Sequence, residues 1–116
     1  MTYADVLLHI DSHPTPTSAD AIDESVALAA SLGRRLTALA VEVEIPLRSN
    51  RLAHHLIGLS AMSEELEAKS RVACRDGVAA FVRSAEAAGI VQASVLTRVN
   101  HLEVADHVAR VARTYD

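Results

Sequence analysis

The sequence is poor in cysteine, in aromatic residues and in clustered positive charge, and each shortage narrows what the chain can be. Its single cysteine, Cys74, cannot form an internal disulfide and fits a reducing compartment, so we expect a cytoplasmic location. Aromatic residues make up only 3% of the chain, so alanine, valine and leucine must build the core. The net charge of −4 argues against a nucleic-acid or anionic-membrane partner, since both attract clustered lysine and arginine.

Long apolar runs and processing signals are also missing. No run approaches the roughly 18 residues that a membrane span requires. Asp5 interrupts the N-terminal apolar stretch, so we expect no signal peptide. Half of the residues are apolar and 22% are charged, which is the composition of an ordinary globular domain. The length of 116 residues allows one domain, residues 1–116, and is short for a self-contained enzyme.

Apolar, strand-like runs alternate with helical patterns along the chain. The apolar run of residues 4–10 is typical of a strand buried on both faces of a parallel sheet. The other predicted elements are helix, strand, helix, strand and helix, at residues 17–33, 36–45, 63–89, 92–100 and 102–116. This β-α-β-α-β-α order predicts an α/β fold with a parallel sheet, right-handed crossovers and helices on both faces. Residues 47–62 remain open between a loop and a short helical insertion.

Residues that favour helix ends mark the predicted helix boundaries. We expect caps at Thr17 or Ser18, at Ser63, at Gly33 and at Gly89. Gly77 lies inside the second helix, where it costs about 1 kcal/mol relative to alanine, so we expect a bend or a close contact there. The apolar face of the third helix is predicted to carry Leu102, Val104 or Ala105, Val108 and Val111. Exposed i,i+4 ion pairs are predicted for Glu65–Lys69 and Glu67–Arg71.

Asp11 is the first candidate for chemistry, because ligands of such folds bind beyond the carboxyl ends of the strands. Two interpretations stay open: a turn residue whose carboxylate bonds local backbone amides, or a ligand contact that accepts a hydroxyl. The tripeptide Asp11-Ser12-His13 does not predict a hydrolase triad, since adjacent side chains on an extended turn point apart.

No other group of residues predicts catalysis or metal binding. Among the six histidines, His54 and His55 would lie about 100° apart on a helix and could not easily share an ion. His9 is expected either to be buried and hydrogen-bonded or to point at the site. Cys74 is expected to be a small core residue rather than a nucleophile. We therefore expect no enzyme activity, no catalytic residue and no metal site.

Several segments resemble the universal stress protein family. That family opens with a strand, an Asp-Gly-Ser turn, a helix ending in A-x-x-L-G-A-x-L and a strand containing L-x-V. The corresponding segments here are "HIDSHP", "ALAASLGRRLTAL" and "LAV". The long second helix, the strand "ASVLTRV" and the helix "VADHVARVARTYD" follow the family's order. The chain most resembles the first half of tandem bacterial members, which implies a Rossmann-like, flavodoxin-like fold.

The resemblance also implies a set of nucleotide contacts. In nucleotide-binding members, the aspartate that ends the first strand contacts the ribose end of ATP, and the backbone of a valine on the second strand meets the adenine. Those positions match Asp11 and Val41, with Ile10 beside them. Two departures are visible: Ser12 replaces the glycine that usually follows the aspartate, and Pro14 and Pro16 lengthen the turn.

The family's glycine-rich phosphate loop follows its fourth strand, and this sequence ends at "RTYD", where that strand would begin. We therefore expect a domain that is incomplete at its C-terminus, with the first strand as an open edge that receives another strand beside residues 6–10. The resemblance then favours a non-catalytic interaction or dimerisation module without a cofactor in this chain, forming a homo-oligomer or packing on a sister domain. The alternative is an ATP-binding stress protein whose phosphate loop lies beyond Asp116.

Overall fold

The computed structural model describes residues 5–32, 35–45 and 57–115. Three strands and three helices alternate in the predicted order: β1 (Asp5–Ile10), α1 (Ala19–Ser31), β2 (Arg35–Glu44), α2 (Ile57–Ala88), β3 (Gln92–Asn100) and α3 (Val104–Ala112). Both strand pairs are parallel, and the sheet order is β1-β2-β3. The predicted α/β fold with a parallel sheet is confirmed.

The central strand β2 anchors the core. Its residues 36–41 and Val43 are buried, as expected for a strand with neighbours on both sides and helices on both faces. On one face, α1 and α2 cover β1 and β2, and the core there comprises Ile10, Ile22, Val26, Ala29, Leu36, Ala38, Ala40, Cys74, Phe81 and Ala85. Burying an aliphatic or aromatic side chain of this kind stabilises the fold by about 1.5–3 kcal/mol.

Helix α3 lies on the opposite face of the sheet. Val111 and the following Tyr115 close a small cavity of about 80 Å³ against Leu7, Leu39 and Val95. No residue of α3 is buried, so this layer is thinner than the layer formed by α1 and α2. The expectation of helices on both faces is confirmed, and the structure places α1 and α2 on one face and α3 on the other.

Two of the predicted helix caps are confirmed. The Ser18 hydroxyl accepts a backbone N–H of the first turn of α1 at 3.1 Å, as an N-cap does. Helix α2 ends before Gly89, whose φ of 67° lies in the left-handed region. The N–H of Ile90 then bonds the Ala85 carbonyl at 3.1 Å, which is the hydrogen bond of a Schellman C-cap. The predicted cap Gly33 lies outside the described residues.

The predicted start of the second helix is wrong. Helix α2 begins at Ile57, and Ser63 is an interior residue rather than the N-cap. Ser63 is buried, and its hydroxyl donates to the Ile45 carbonyl at 2.6 Å, so it ties the helix to the end of β2. No proline interrupts residues 57–62, and the helix simply continues through them. Residues 47–56 of the segment left open in the sequence lie outside the described residues.

Two further expectations are wrong because the surroundings differ from an isolated helix. Leu102 is 80% exposed in the turn before α3, where its N–H bonds the Asn100 side chain at 2.9 Å. The Glu65–Lys69 pair is confirmed at 3.3 Å. The Glu67–Arg71 pair is not formed: Glu67 bonds Arg98 on β3 at 3.2 Å, and Arg71 lies 3.8 Å from Glu42 on β2.

No helix in the described ranges combines the length and the apolar composition that crossing a bilayer requires.

Candidate functional site

The three residues predicted to contact nucleotide lie at the carboxyl end of the sheet, and one of them is exposed. Ile10 and Val41 are each 1% exposed. Ile10 is paired with Ala40, so Val41 lies one position further along, level with Asp11. The Asp11 side chain is 51% exposed. The structure therefore places the backbones of all three residues at one edge of the sheet. Of their side chains, only the Asp11 carboxylate is accessible to solvent.

The polar turn after β1 folds back onto the strand end. The Asp11 N–H donates to the Thr17 hydroxyl at 2.7 Å, and the Thr17 N–H donates to the Asp11 carbonyl at 3.0 Å. This pair of bonds occupies both backbone groups of Asp11. The carboxylate instead lies 3.4 Å from His9 Nε2, and that nitrogen has no hydrogen-bond partner among the described residues. His9 is thus half-buried and directed towards the site.

Ser12 is buried at the carboxyl edge of the sheet, where its hydroxyl contacts β2 and α2. Its hydroxyl donates to the Val41 carbonyl at 2.6 Å and lies 2.7 Å from the Ser70 hydroxyl of α2. The Ser70 oxygen accepts the Val43 N–H at 2.9 Å. Because a hydroxyl has one proton and Ser12 uses its proton on Val41, Ser70 must donate to Ser12. Each buried hydroxyl then donates one hydrogen bond and accepts one, and these bonds join the first turn, β2 and α2 in one network.

Cys74 completes this buried cluster. It is fully buried one helical turn from Ser70, as the sequence indicated for a small core residue. Burial raises the pKa of the Cys74 thiol, while contacts with Ser12 and Ser70 act in the opposite direction. A buried thiol with a raised pKa stays protonated at neutral pH and is a poor nucleophile.

Two histidines flank the end of the sheet. His13, in the turn after β1, and His101, directly after β3, have ring centroids 6.5 Å apart in a perpendicular arrangement. His107 on α3 lies apart from them, with Nε2 3.3 Å from the Thr97 hydroxyl. Within the described residues, no three histidine, cysteine, aspartate or glutamate side chains gather as a metal site would need.

A groove lies between the start of α1 and the middle of α2. It has a volume of about 560 Å³, and its walls are mostly apolar. Neither Asp11 nor Val41 lines it, although Thr17 from the same turn does. It is therefore a surface separate from the predicted nucleotide contacts.

Sequence reasoning missed the two serines that shape this edge. Ser12 was considered only as a member of a rejected triad and as a departure from a glycine, and Ser70 was not considered at all. A signal for Ser70 was present, because it lies four residues before Cys74 and seven before Gly77, on the buried side of α2. A serine on a core-facing stripe requires a hydrogen-bond partner, and the polar turn after β1 supplies one.

Three comparisons with known proteins, by family models, curated sequences and solved structures, find no match to this chain.

Proposed function

We propose that the chain is a non-catalytic interaction module of the universal stress protein type, whose function depends on an open edge of its sheet and not on a nucleotide site. The observation that carries the proposal is the exposure of β3. Val95 and Leu96 point to opposite faces of this edge strand and are 43% and 57% exposed. An exposed apolar edge strand is a ready template for another strand and seldom stays unpaired in a soluble monomer.

The composition of β3 adds to this argument. Natural edge strands are usually protected from association by charges, prolines or bulges. Within β3, Arg98 is the one charged residue, there is no proline, and the register with β2 runs unbroken from Gln92 to Asn100. The strand thus lacks the usual protection against pairing.

The carboxyl edge supports a nucleotide function less well. The side chains of Ile10 and Val41 offer no surface to a ligand, and the Val41 carbonyl already accepts the Ser12 hydroxyl. The four glycines of residues 1–116 are widely separated, so these residues do not themselves supply a glycine-rich loop that brings backbone amides around phosphates. The stress-response role itself, and packing as a homo-oligomer or on a sister domain, rest on the family resemblance.

Titration calorimetry with ATP tests the proposal against the nucleotide-binding alternative. For the 116-residue chain we expect no saturable binding, with any dissociation constant weaker than about 1 mM. The matched variants are Asp11→Asn, at the exposed strand end, and Asp106→Asn, an exposed aspartate on α3. Binding in the low micromolar range that Asp11→Asn abolishes and Asp106→Asn leaves intact would refute the proposal and establish the alternative.

A further inference from the structure

We propose that the partner of the open edge is a second copy of this chain, and that β3 pairs antiparallel with β3 of that copy around Leu96. This inference rests on the proposed interaction function, since it names the partner and the contact residues of the same edge. It differs from the sequence-based expectation that a strand is added beside β1.

The direction of the backbone groups shows which residues of β3 are available. The Leu36 N–H donates to the Val91 carbonyl at 3.1 Å, and the His101 N–H donates to the Glu44 carbonyl at 2.9 Å. The odd-numbered positions along this stretch therefore turn their backbone groups towards β2. Since successive residues of a strand alternate in direction, the even-numbered residues of β3 turn theirs towards the open edge: Gln92, Ser94, Leu96, Arg98 and Asn100.

Strand length and backbone direction together select one register. Leu96 is the middle residue of the nine-residue strand, so full antiparallel overlap places Leu96 opposite its own copy. The same register places Ser94 opposite Arg98 and Gln92 opposite Asn100. Every one of these positions turns its backbone outwards, so facing residues exchange N–H···O=C bonds. A slip of one residue would set outward positions against inward ones and lose these bonds.

The charge on the strand is compatible with this register. Arg98 faces the neutral Ser94 of the second copy, not a second arginine, so no like charges are opposed. Arg98 is also balanced within its own chain, 3.2 Å from Glu67 and 4.0 Å from Glu44. The pair at the centre is apolar, as expected for the most buried position of such a contact.

The helix layer does not block the approach of a second copy. An open groove of about 350 Å³ separates α2 from β3, and Leu96 and Ser94 form its β3 wall. Helix α2 thus stops short of the edge on this face. The Leu96 side chain of the second copy would lie beside that of the first, on the same face of a continuous sheet, and would cover part of its exposed surface.

The other edge of the sheet is a poorer template. Thr17 occupies both backbone groups of Asp11, which turn away from β2. By alternation, Asp5, Leu7 and His9 also turn outwards, so β1 has three further outward residues, fewer than the five of β3. The side chains of β1 are also mostly covered, in contrast to those of β3.

Charge substitution at the centre of the contact tests the pairing. We expect sedimentation analysis of the unmodified chain to show reversible dimers of twice 12.4 kDa. Leu96→Lys and Leu96→Glu each place like charges opposite each other across the dimer contact. The dimer dissociation constant of each variant alone should therefore rise at least about tenfold. An equimolar mixture of the two should recover a dimer, because a lysine then faces a glutamate. The controls are Leu28→Lys and Leu28→Glu on α1, where the leucine is 62% exposed and association should not change.

Ser94 provides a second pair of variants that does not touch the central leucine. Ser94→Glu faces Arg98 of the second copy and should tighten association by about two- to fivefold, whereas Ser94→Arg should weaken it by a similar factor. The inference is overturned if the unmodified chain is a monomer at all concentrations, if the Leu96 variants dimerise as the unmodified chain does, or if their mixture stays monomeric. These results leave the interaction role itself standing, whereas ATP binding through Asp11 would refute that role whatever the oligomeric state.

Discussion

At the scale of single residues, the serine that replaces a glycine in the first turn has a structural explanation. The Ser12 hydroxyl reaches a backbone carbonyl of β2, and Ser70 links the same cluster to α2. A glycine at position 12 would leave the Val41 carbonyl without this donor and Ser70 without its acceptor. The serine at position 12, where the family has glycine, therefore belongs to a buried hydrogen-bonded network with Val41 and Ser70. The sequence alone does not show that these residues are in contact.

We expect Ser12→Ala to lower the free energy of unfolding by about 1–3 kcal/mol, because it leaves buried polar groups without partners. Ser70→Ala should have a similar effect, since the Val43 N–H loses its acceptor. In urea unfolding, the double variant should lose less stability than the sum of the losses of the two single variants. The reason is that Ser12 and Ser70 belong to the same hydrogen-bonded network.

The control is Ser31→Ala, where an exposed hydroxyl donates to the Leu28 carbonyl at 2.7 Å. That variant should lie within about 0.5 kcal/mol of the unmodified chain. Two results would contradict the buried hydrogen-bonded network of Ser12 and Ser70. One is a Ser12→Ala variant as stable as this control, and the other is strictly additive losses of stability for the two serine variants.

At the scale of elements, a glycine fixes how closely α2 approaches the sheet. A Cβ atom added at Gly77 would lie 2.7 Å from Ile10 Cγ2, closer than two carbon atoms can pack. The close contact that the sequence led us to expect at this position is confirmed. It explains why a residue that weakens helices is present in the interior of the longest one.

Gly77→Ala should therefore destabilise the protein although alanine favours the helix. The gain in helix propensity is about 1 kcal/mol, and overpacking costs about 1–3 kcal/mol, so we expect a net loss in thermal and urea unfolding. Ile10→Leu removes the Cγ2 branch, and in that background the same Gly77→Ala change should cost less or become stabilising. A Gly77→Ala variant more stable than the unmodified chain would contradict the contact.

The elements that the sequence predicted well are those whose pattern reflects local periodicity. The strand at residues 92–100, predicted from its alternation and its β-branched residues, is confirmed residue for residue. The start of α2 and the partner of Glu67 were mispredicted, because Ser63 and Glu67 are held by β2 and β3 rather than by neighbours on the helix. Such contacts depend on which strand lies under which helix turn, and periodicity carries no information about that.

At the scale of the whole molecule, the sheet has two different edges. Sequence reasoning identified the α/β fold, and the strand order of the family that the chain resembles predicted β1 as the open edge. The sheet order β1-β2-β3 confirms that β1 is an edge strand. The structure adds that the turn after β1 occupies part of that edge through Thr17, while β3 leaves apolar side chains exposed on both faces. The sequence of β3, with its β-branched residues and single arginine, does not reveal that the helices leave it uncovered.

Residue-resolved amide hydrogen exchange by NMR, in dilute and in concentrated samples, tests most directly whether β3 is the interaction edge. In dilute solution we expect fast exchange at Ser94, Leu96 and Arg98, whose N–H groups face the open edge, and slow exchange at Val95 and Thr97, which bond β2. On concentration, the three fast amides should become protected together. If they exchange equally fast at every concentration, or if protection appears instead at Leu7 and His9 of β1, the assignment of β3 as the interaction edge is wrong.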